Sequence, residues 1–220
     1  MKLRIRYLII LLLFLNIDTT ISQKNYNIRT IAFYNLENLF DTINDINKDD
    51  EASPIMKIKN NKSKVYWDKI DKLASTISKI GYDKTNNSPI VIGIAEVENL
   101  NVIEDLVKSK HLIKKNYDII HYDSPDKRGI DVALLYQKEY FNPIHHEIFN
   151  PNIYKNNYPV YTRDQLLVSG YLDDELIHLI INHWPSRSGG EYKSRFLREK
   201  AAYKNTQIIQ QIRKNDKNAK

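Results

Sequence analysis

Polar side chains that could bind a metal ion or a phosphate follow apolar segments at several places in this chain. The clearest case is Glu96, which together with Glu98 comes directly after the apolar run Ile90–Ala95. A carboxylate at the end of a buried strand is costly unless it meets a cation or a hydrogen-bond donor. Ligands of open α/β sheets are usually held at strand ends. The recurring clusters are Asn35/Glu37, Glu96/Glu98, Arg128/Asp131, Arg163/Asp164 and Asn182/His183.

Taken together, these residue types suit one chemistry. Carboxylates in a chain without cysteine favour a hard, oxygen-seeking ion such as Mg²⁺ or Ca²⁺. Arginine and histidine side chains favour an anionic phosphoester, because a guanidinium group matches phosphate oxygens bidentately. The clusters therefore predict metal-assisted phosphoester cleavage, in which the cation and the Arg and His donors stabilise the pentacovalent transition state.

Each candidate residue also has a purely structural interpretation. Asn35 could cap a turn, and His183 could be a satisfied core histidine. Arg128 could pair with Asp126 or Asp131 in a surface salt bridge. Two further charged candidates could be solvated loop side chains, namely Glu37 and Arg163. Taken one residue at a time, the pattern leaves these interpretations open.

Composition limits the classes of protein to which the chain could belong. Its 220 residues suffice for one good-sized core or two small domains. A net charge of +6 suits a polyanionic partner such as nucleic acid or anionic lipid. Because lysine, asparagine and isoleucine are abundant throughout, the charge favours nucleic acid only weakly. The absence of cysteine excludes a disulfide, a thiolate nucleophile and a cysteine metal site.

The first residues have the pattern of a secretory signal peptide. Three basic residues within the first six precede the apolar run Tyr7–Leu15, which is too short to span a bilayer comfortably. Cleavage near Ser22 is predicted, which makes residues 1–22 the signal peptide and 23–220 one domain. We expect a secreted or periplasmic protein with no stable membrane span after cleavage.

Hydrophobic periodicity predicts strands and helices that alternate at first and end with a hairpin. This order indicates a mixed sheet with helices packed on it. The segment Thr42–Lys64 is polar and is predicted to be a loop. The predicted strands are Arg29–Asn35, Ile90–Ala95, Tyr117–Tyr122, Ile130–Tyr136, His146–Phe149, Gln165–Leu172 and Leu176–His183, and the predicted helices are Trp67–Ile80, Asn101–Leu112 and Glu191–Lys214.

Five blocks of this sequence, in order, resemble the successive motifs of the endonuclease/exonuclease/phosphatase superfamily. Members of that superfamily include DNase I-like nucleases, abasic-site endonucleases, inositol-polyphosphate phosphatases and bacterial sphingomyelinases. The resemblance extends from about residue 29 to residue 214. The blocks are Phe33–Phe40, Gly93–Asn99, Lys127–Ala133, Thr162–Asp164 and Asn182–Arg187.

The resemblance implies an α/β fold, a four-layer α-β-β-α sandwich of mixed sheets with the active site at one end. Glu96 matches the main Mg²⁺-binding glutamate, and Glu37 occupies the position of a second acidic metal-site residue. Asn35 matches the asparagine that helps place the catalytic machinery. Arg163 matches a phosphate-contacting position, and His183 matches the histidine that hydrogen-bonds the scissile phosphate.

The shared blocks also contain residues to which we assign substrate binding, Arg128, Asp131 and Asn182. The implied function is a Mg²⁺-dependent phosphodiester hydrolase, for which Mn²⁺ or Ca²⁺ are the other candidate ions. A secreted, monomeric endonuclease acting on DNA or RNA is the leading interpretation. A phosphatase or phospholipid phosphodiesterase of the same superfamily is the alternative.

The superfamily pattern continues with two motifs that these 220 residues do not contain. One is a Gly-Asp-Phe-Asn-like block, and the other is an Asp-His pair that completes the general acid and base machinery. We therefore expect the domain to be incomplete at its C-terminus and this chain by itself to be inactive or nearly so. The alternative is a naturally shortened chain that binds phosphate-bearing ligands without catalysis.

Overall fold

The computed structural model describes residues 27–220. The predicted signal peptide, residues 1–22, lies outside the described residues. Within the described part, no helix combines the length and the apolar character needed to cross a membrane.

The first sheet has four strands, and its strand order places the first two motif blocks side by side. Strand β1 (Ile31–Leu39) pairs in parallel with β2 (Val91–Val97). Strand β4 (Asp131–Gln137) pairs antiparallel with β2, and β3 (Tyr117–His121) pairs antiparallel with β4. The order β1-β2-β4-β3 makes this sheet mixed, as predicted.

The second sheet is antiparallel throughout, whereas mixed sheets were predicted for both. It consists of β5 (Phe141–Phe149), β8 (Gln165–Leu172) and β9 (Glu175–Ile181), and the predicted hairpin joins the last two. The connection between β5 and β8 contains a small ribbon of β6 (Tyr154–Lys155) and β7 (Tyr158–Pro159). A short turn joins β8 to β9, and short turns produce antiparallel pairs.

Helices cover the outer faces of the two sheets, which gives the predicted α-β-β-α order. Two of them share a core with the first sheet. The fourth helix contacts the second sheet, where the Gln165 side chain donates to the carbonyl of Ala201 at 2.8 Å. The helices are α1 (Lys62–Ile77), α2 (Tyr82–Thr85), α3 (Leu100–Val107) and α4 (Glu191–Asn215), with 3₁₀ turns at Asp50–Ala52 and Ile113–Lys115.

Strand β2 is buried on both faces, which confirms the prediction from its continuous apolar run. Ile92 and Ile94 belong to the core shared with α1 and α3, whereas Val91 and Ala95 belong to the core between the sheets. Gly93 faces β9 of the second sheet without a side chain between them. A Cβ atom there would lie 3.3 Å from Ile181 on β9. Full burial contributes about 1.5–3 kcal/mol for each large aliphatic side chain, so β2 anchors both layers.

Two predicted helices are present with shifted ends and with exposed aromatic side chains near their N-termini. Helix α1 begins five residues before the predicted Trp67, and Trp67 itself is half exposed while Tyr66 is buried. The buried residues of α1 are Tyr66, Ile70, Ala74 and Ile77, which have helical spacing. In α4, Tyr192 is 92% exposed, and the buried residues are Ser194, Ala201 and Ile208. Tyrosine and tryptophan are intermediate in their tendency to be buried, so the pattern of apolar residues does not decide the exposure of these side chains.

Two predicted segments differ in extent. Strand β5 has nine residues, although only His146–Phe149 was predicted. Its exposed residues include both polar and apolar side chains, and its pairing shifts near Pro143, so no period of two is visible in the sequence. The predicted loop Thr42–Lys64 is packed in part, because Asp50, Ser53 and Ile55 are buried.

Candidate functional site

The pairing between the neighbouring strands β1 and β2 is interrupted by a bulge. The regular pairing of β1 with β2 ends at Asn35 and resumes only at Leu39, while β2 advances by the single residue Glu96. Glu37, Asn38 and Glu96 have φ angles of 52°, 58° and 61°. A left-handed backbone at residues other than glycine costs on the order of 1–3 kcal/mol each, and bulges of this kind re-aim side chains. We call residues 36–38 the β1 bend.

The Glu96 carboxylate is held between the β1 bend and the segment after β9. Its Oε2 accepts a hydrogen bond from the Asn38 backbone amide at 3.0 Å. Its Oε1 lies 3.2 Å from Nε2 of His183. Each of the two side chains is about one-fifth exposed. The structure therefore brings together two predicted site residues that are far apart in the sequence.

His183 is a neutral imidazole that donates through Nε2. Burial, assisted by the positive charge of Arg163, lowers the pKa of His183 to about 4, and the charge of Glu96 only partly opposes this. Because a carboxylate only accepts hydrogen bonds, the proton of the neutral ring lies on Nε2. Nδ1 is buried and has no partner among the described residues. The ring can thus redirect its Nε2–H to a phosphate oxygen.

Arg163 holds the segment that carries His183. Its Nε and Nη2 donate to the His183 carbonyl at 3.0 and 2.8 Å, and Nη2 also donates to the Trp184 carbonyl at 2.9 Å. Its Nη1 donates to Asp126 at 2.9 Å, and the residue is 7% exposed. All three nitrogens of the guanidinium therefore have protein acceptors. The geometry favours a positioning role for Arg163, and its contact with a phosphate stays a prediction.

Arg128 adopts its structural interpretation. Its Nε and Nη2 both lie 3.2 Å from Asp126 oxygens, and the side chain is 53% exposed. Burial alone would raise the pKa of Asp126, but the hydrogen bonds from Arg128 and Arg163 outweigh it, and the pKa falls below its ordinary value. Asp126, which was not among the predicted site residues, is thus an ionised carboxylate shared by two arginines.

The remaining predicted residues occupy different environments. Asp131 is buried and pairs with His121 at 3.1 Å and with the Ser124 amide at 2.9 Å, so it does not pair with Arg128. Asn35 accepts from the Glu37 amide at 2.8 Å, which is the predicted turn cap. Glu37 is exposed, and Asn182 donates to the Ile180 carbonyl at 3.1 Å with its Oδ1 buried and unpartnered in the described part of the chain.

Comparison with known protein families identifies one family whose model covers nearly all of the described residues. Residues 30–220 match the model of the family described as the Endonuclease/Exonuclease/phosphatase family. The chain belongs to this family. No curated protein matches the sequence.

Solved structures of similar fold are distant in sequence. An endonuclease/exonuclease/phosphatase family protein from Bacteroides thetaiotaomicron superposes with a TM-score of 0.50 at 14% identity, over 87% of this chain and 60% of that one. A mannosyl-6-phosphatase of the same species gives 0.50 at 16%, over 87% and 62%. TDP2 from Caenorhabditis elegans gives 0.50 at 16%, over 71% and 40%. The chain thus spans between 40% and 62% of the length of these proteins.

The donor set of this family member around Glu96 fits a hard divalent cation. A carboxylate offers about four lone-pair sites, and each Glu96 oxygen uses one of them in the contacts above. Glu37 belongs to the β1 bend, whose Asn38 amide binds Glu96, so a second carboxylate is carried by the segment that orients the first. Oxygen donors of this kind suit Mg²⁺ or Mn²⁺.

A second group of metal-ligating residues was missed in the sequence. Among residues 27–220, His121, Asp123 and Asp131 form the one group of three His, Cys, Asp or Glu residues whose ligand atoms all lie within 4.8 Å of one another. His121 ends β3 and Asp131 begins β4, and these strands are antiparallel neighbours. The two consecutive predicted strands Tyr117–Tyr122 and Ile130–Tyr136 contained this signal, since antiparallel neighbours bring the end of one strand beside the start of the next.

Glu98 binds the chain segment that follows the β1 bend. Its carboxylate accepts from the Asp41 amide at 2.6 Å, and burial raises its pKa to about 7 despite this hydrogen bond. Glu98 therefore fixes the segment that follows the β1 bend, a supporting role that its sequence position after Glu96 suggested.

Proposed function

We propose that this domain hydrolyses phosphodiesters with the help of a divalent cation, Mg²⁺ in the first place and Mn²⁺ or Ca²⁺ as the other candidates. The observation that carries the proposal is the Glu96 carboxylate, fixed by the Asn38 amide on one oxygen and facing His183 Nε2 with the other. Family membership supports the same reaction class. The chemistry is that of a phosphate held between a cation site and a neutral histidine donor.

Each residue of the site has a separate proposed role in this reaction. Glu96, with Glu37 beside the β1 bend, would hold the ion, which supplies charge neutralisation at the phosphate and a bound water of lowered pKa. His183 donates its Nε2–H to a non-bridging phosphate oxygen, a contact that strengthens as negative charge develops there. Arg163 keeps His183 in register by holding its carbonyl. The imidazole needs no proton uptake, because burial keeps it neutral.

We propose nucleic acid as the substrate class. Beside Arg163 lies an open cavity of about 640 Å³, whose polar lining includes Lys127, Arg128 and Thr162. The same cavity is lined by Tyr161, which is half exposed and has the Lys127 ammonium 5.6 Å from its ring centre. Thr162 Oγ1 is buried without a partner among the described residues. Cationic groups beside an exposed aromatic ring suit a nucleotide, with its phosphate and its base.

We also propose that the protein is exported, as the signal-like N-terminal sequence suggests, and that it is monomeric. The route of export is checked by N-terminal sequencing of the protein recovered outside the cytoplasm. The proposal requires a new N-terminus at about residue 23.

Metal removal tests the reaction class. A protein that carries the complete domain is expected to nick supercoiled plasmid in Mg²⁺, to lose this activity in EDTA and to regain it when Mg²⁺ is restored, because the cation carries much of the transition-state stabilisation. The 220-residue chain by itself is expected to show little of this activity. Release of phosphate from inositol phosphates is measured in parallel. Phosphate release without nicking would favour the phosphatase alternative. Oligonucleotide binding without either activity would favour a non-catalytic phosphate-binding chain.

Substituting Tyr161 tests the substrate class independently of catalysis. Tyr161→Ala is expected to weaken the binding of a fluorescently labelled single-stranded oligonucleotide about tenfold, since stacking of one base on an aromatic ring contributes about 1–3 kcal/mol. Fluorescence anisotropy in EDTA measures the dissociation constant. Tyr154→Ala is the matched control, because Tyr154 is also exposed and lies outside the cavity lining. Equal effects of the two substitutions would contradict the assignment of the cavity.

A further inference from the structure

Lys69 reaches from the middle of α1 to the backbone of the β1 bend. Its Nζ donates to the Glu37 carbonyl at 2.6 Å and to the Asn38 carbonyl at 2.9 Å. Both acceptors belong to residues with a left-handed backbone. Because the strand pairing skips residues 36–38, these carbonyls have no partner in the ladder with β2. Lys69 therefore binds two peptide carbonyls that the ladder with β2 leaves out, of which the Asn38 carbonyl also accepts from the Phe40 amide at 3.1 Å.

One of these two carbonyls is coupled to the Glu96 carboxylate through a single peptide group. The Glu37 carbonyl and the Asn38 amide belong to the same planar trans unit, in which C=O and N–H point in opposite directions. Lys69 binds the oxygen end of this unit, and Glu96 Oε2 accepts from its nitrogen end at 3.0 Å. Fixing the direction of the carbonyl thus fixes the direction of the amide that orients Glu96.

The electrostatic surroundings of Lys69 agree with this geometry. Burial lowers the pKa of the ammonium, while the charges of Glu37 and Glu96 act in the opposite direction. A cation on the carbonyl oxygen also polarises the peptide, which strengthens the hydrogen bond that the amide donates. The attraction between the Lys69 ammonium and Glu96, together with this stronger hydrogen bond, holds the carboxylate in place before any ligand arrives.

We propose that Lys69 is a positioning residue that orients the Glu96 carboxylate through the Glu37–Asn38 peptide group. The inference concerns the preorganisation of Glu96, and its consequence for metal affinity rests on the function proposed above. Residues that orient a metal ligand typically change metal affinity about 10- to 100-fold when they are replaced.

The test compares three substitutions on one helix. Lys69→Met removes the donor but keeps the aliphatic stem, and Lys69→Arg keeps a donor. Lys72→Met removes the same charge one turn further along α1. Lys72 is exposed and lines the same surface pocket as Lys69 and Glu37. Hydrogen exchange of the Asn38 amide is measured by NMR without metal, and the dissociation constant for Mn²⁺ is measured by electron paramagnetic resonance.

The expected result separates position from charge. Lys69→Met should speed exchange of the Asn38 amide about tenfold and weaken Mn²⁺ binding about 10- to 100-fold. Lys69→Arg and Lys72→Met should stay close to the wild-type values. Unchanged Asn38 exchange in Lys69→Met, or the same loss in Lys72→Met, would overturn the proposal.

The test remains decisive in two cases, namely when the wild-type protein binds no Mn²⁺ and when Lys69→Met does not fold. If the wild-type protein binds no Mn²⁺, the proposed function fails, and the exchange of the Asn38 amide alone decides the role of Lys69. If Lys69→Met does not fold, Lys69→Gln replaces it, because the shorter amide cannot reach both carbonyls. The same loss of Asn38 protection is then expected.

Discussion

Replacing Glu96 with glutamine is expected to remove the divalent-metal binding of the site. The change keeps the shape of the side chain and the acceptor for the Asn38 amide, but it removes the charge that holds the cation. Loss of a Lewis-acid contribution of several kcal/mol corresponds to about a 10³-fold lower rate of Mg²⁺-dependent hydrolysis. Mn²⁺ binding by this chain is measured by electron paramagnetic resonance, and plasmid nicking is measured with a protein that carries the complete domain.

Two matched substitutions separate the Glu96 site from the other metal-ligating group. Asp123→Asn removes an exposed carboxylate from the group of His121, Asp123 and Asp131. Glu104→Gln removes a half-exposed carboxylate from α3, where it pairs with Lys108. If Mn²⁺ binding survives Glu96→Gln and disappears in Asp123→Asn, the metal belongs to the second group and the site assignment is wrong. Glu104→Gln should leave binding unchanged.

Replacing Arg163 with methionine is expected to have the largest effect on stability. The guanidinium is buried, pairs with Asp126 and donates to the carbonyls of His183 and Trp184. Removing one partner of a buried ion pair typically costs about 3–5 kcal/mol, because the other charge stays in a poorly solvated environment. Arg128 still contacts Asp126, so we expect a loss of about 3 kcal/mol in the free energy of unfolding, measured by urea denaturation.

An exposed arginine provides the control for that measurement. Arg195 pairs with Glu199 one turn along α4, and both side chains are mostly exposed. Arg195→Met should therefore cost less than about 0.5 kcal/mol. A small effect of Arg163→Met, similar to that of Arg195→Met, would show that the buried network does not hold the His183 segment. Asp126→Asn in the Arg163→Met background should recover part of the loss, since it removes the unpaired charge.

The sequence was most informative where burial and motif order coincided. Strand β2 could be predicted because an apolar run of this length is buried on both faces, and the structure shows both cores meeting along it. Glu96 could be placed at a strand end for the same reason. The hairpin of β8 and β9 followed from a three-residue acidic turn. These features are local, so the identity of neighbouring residues determines them.

Side-chain partners were not determined in this way. Arg163 reads as a charge in a loop, yet its three nitrogens are engaged by segments 20 to 37 residues away. Asp131 adjoins Arg128 in the sequence but pairs with His121 across two strands. The pairing of Arg128 with Asp126 is the exception, because two residues in one turn meet whatever the rest of the chain does.

Lys69 shows most clearly what tertiary structure decided. On a helix rich in lysine, nothing in its spacing distinguishes Lys69 from its neighbour Lys72. Its role follows from the β1 bend, where two left-handed residues turn their carbonyls away from the ladder with β2 and the Asn38 amide binds Glu96 beside His183. Hydrophobic periodicity reports which face of an element is buried. The contacts of a polar site depend instead on backbone angles and on the register between distant strands, and these are set only when the layers pack.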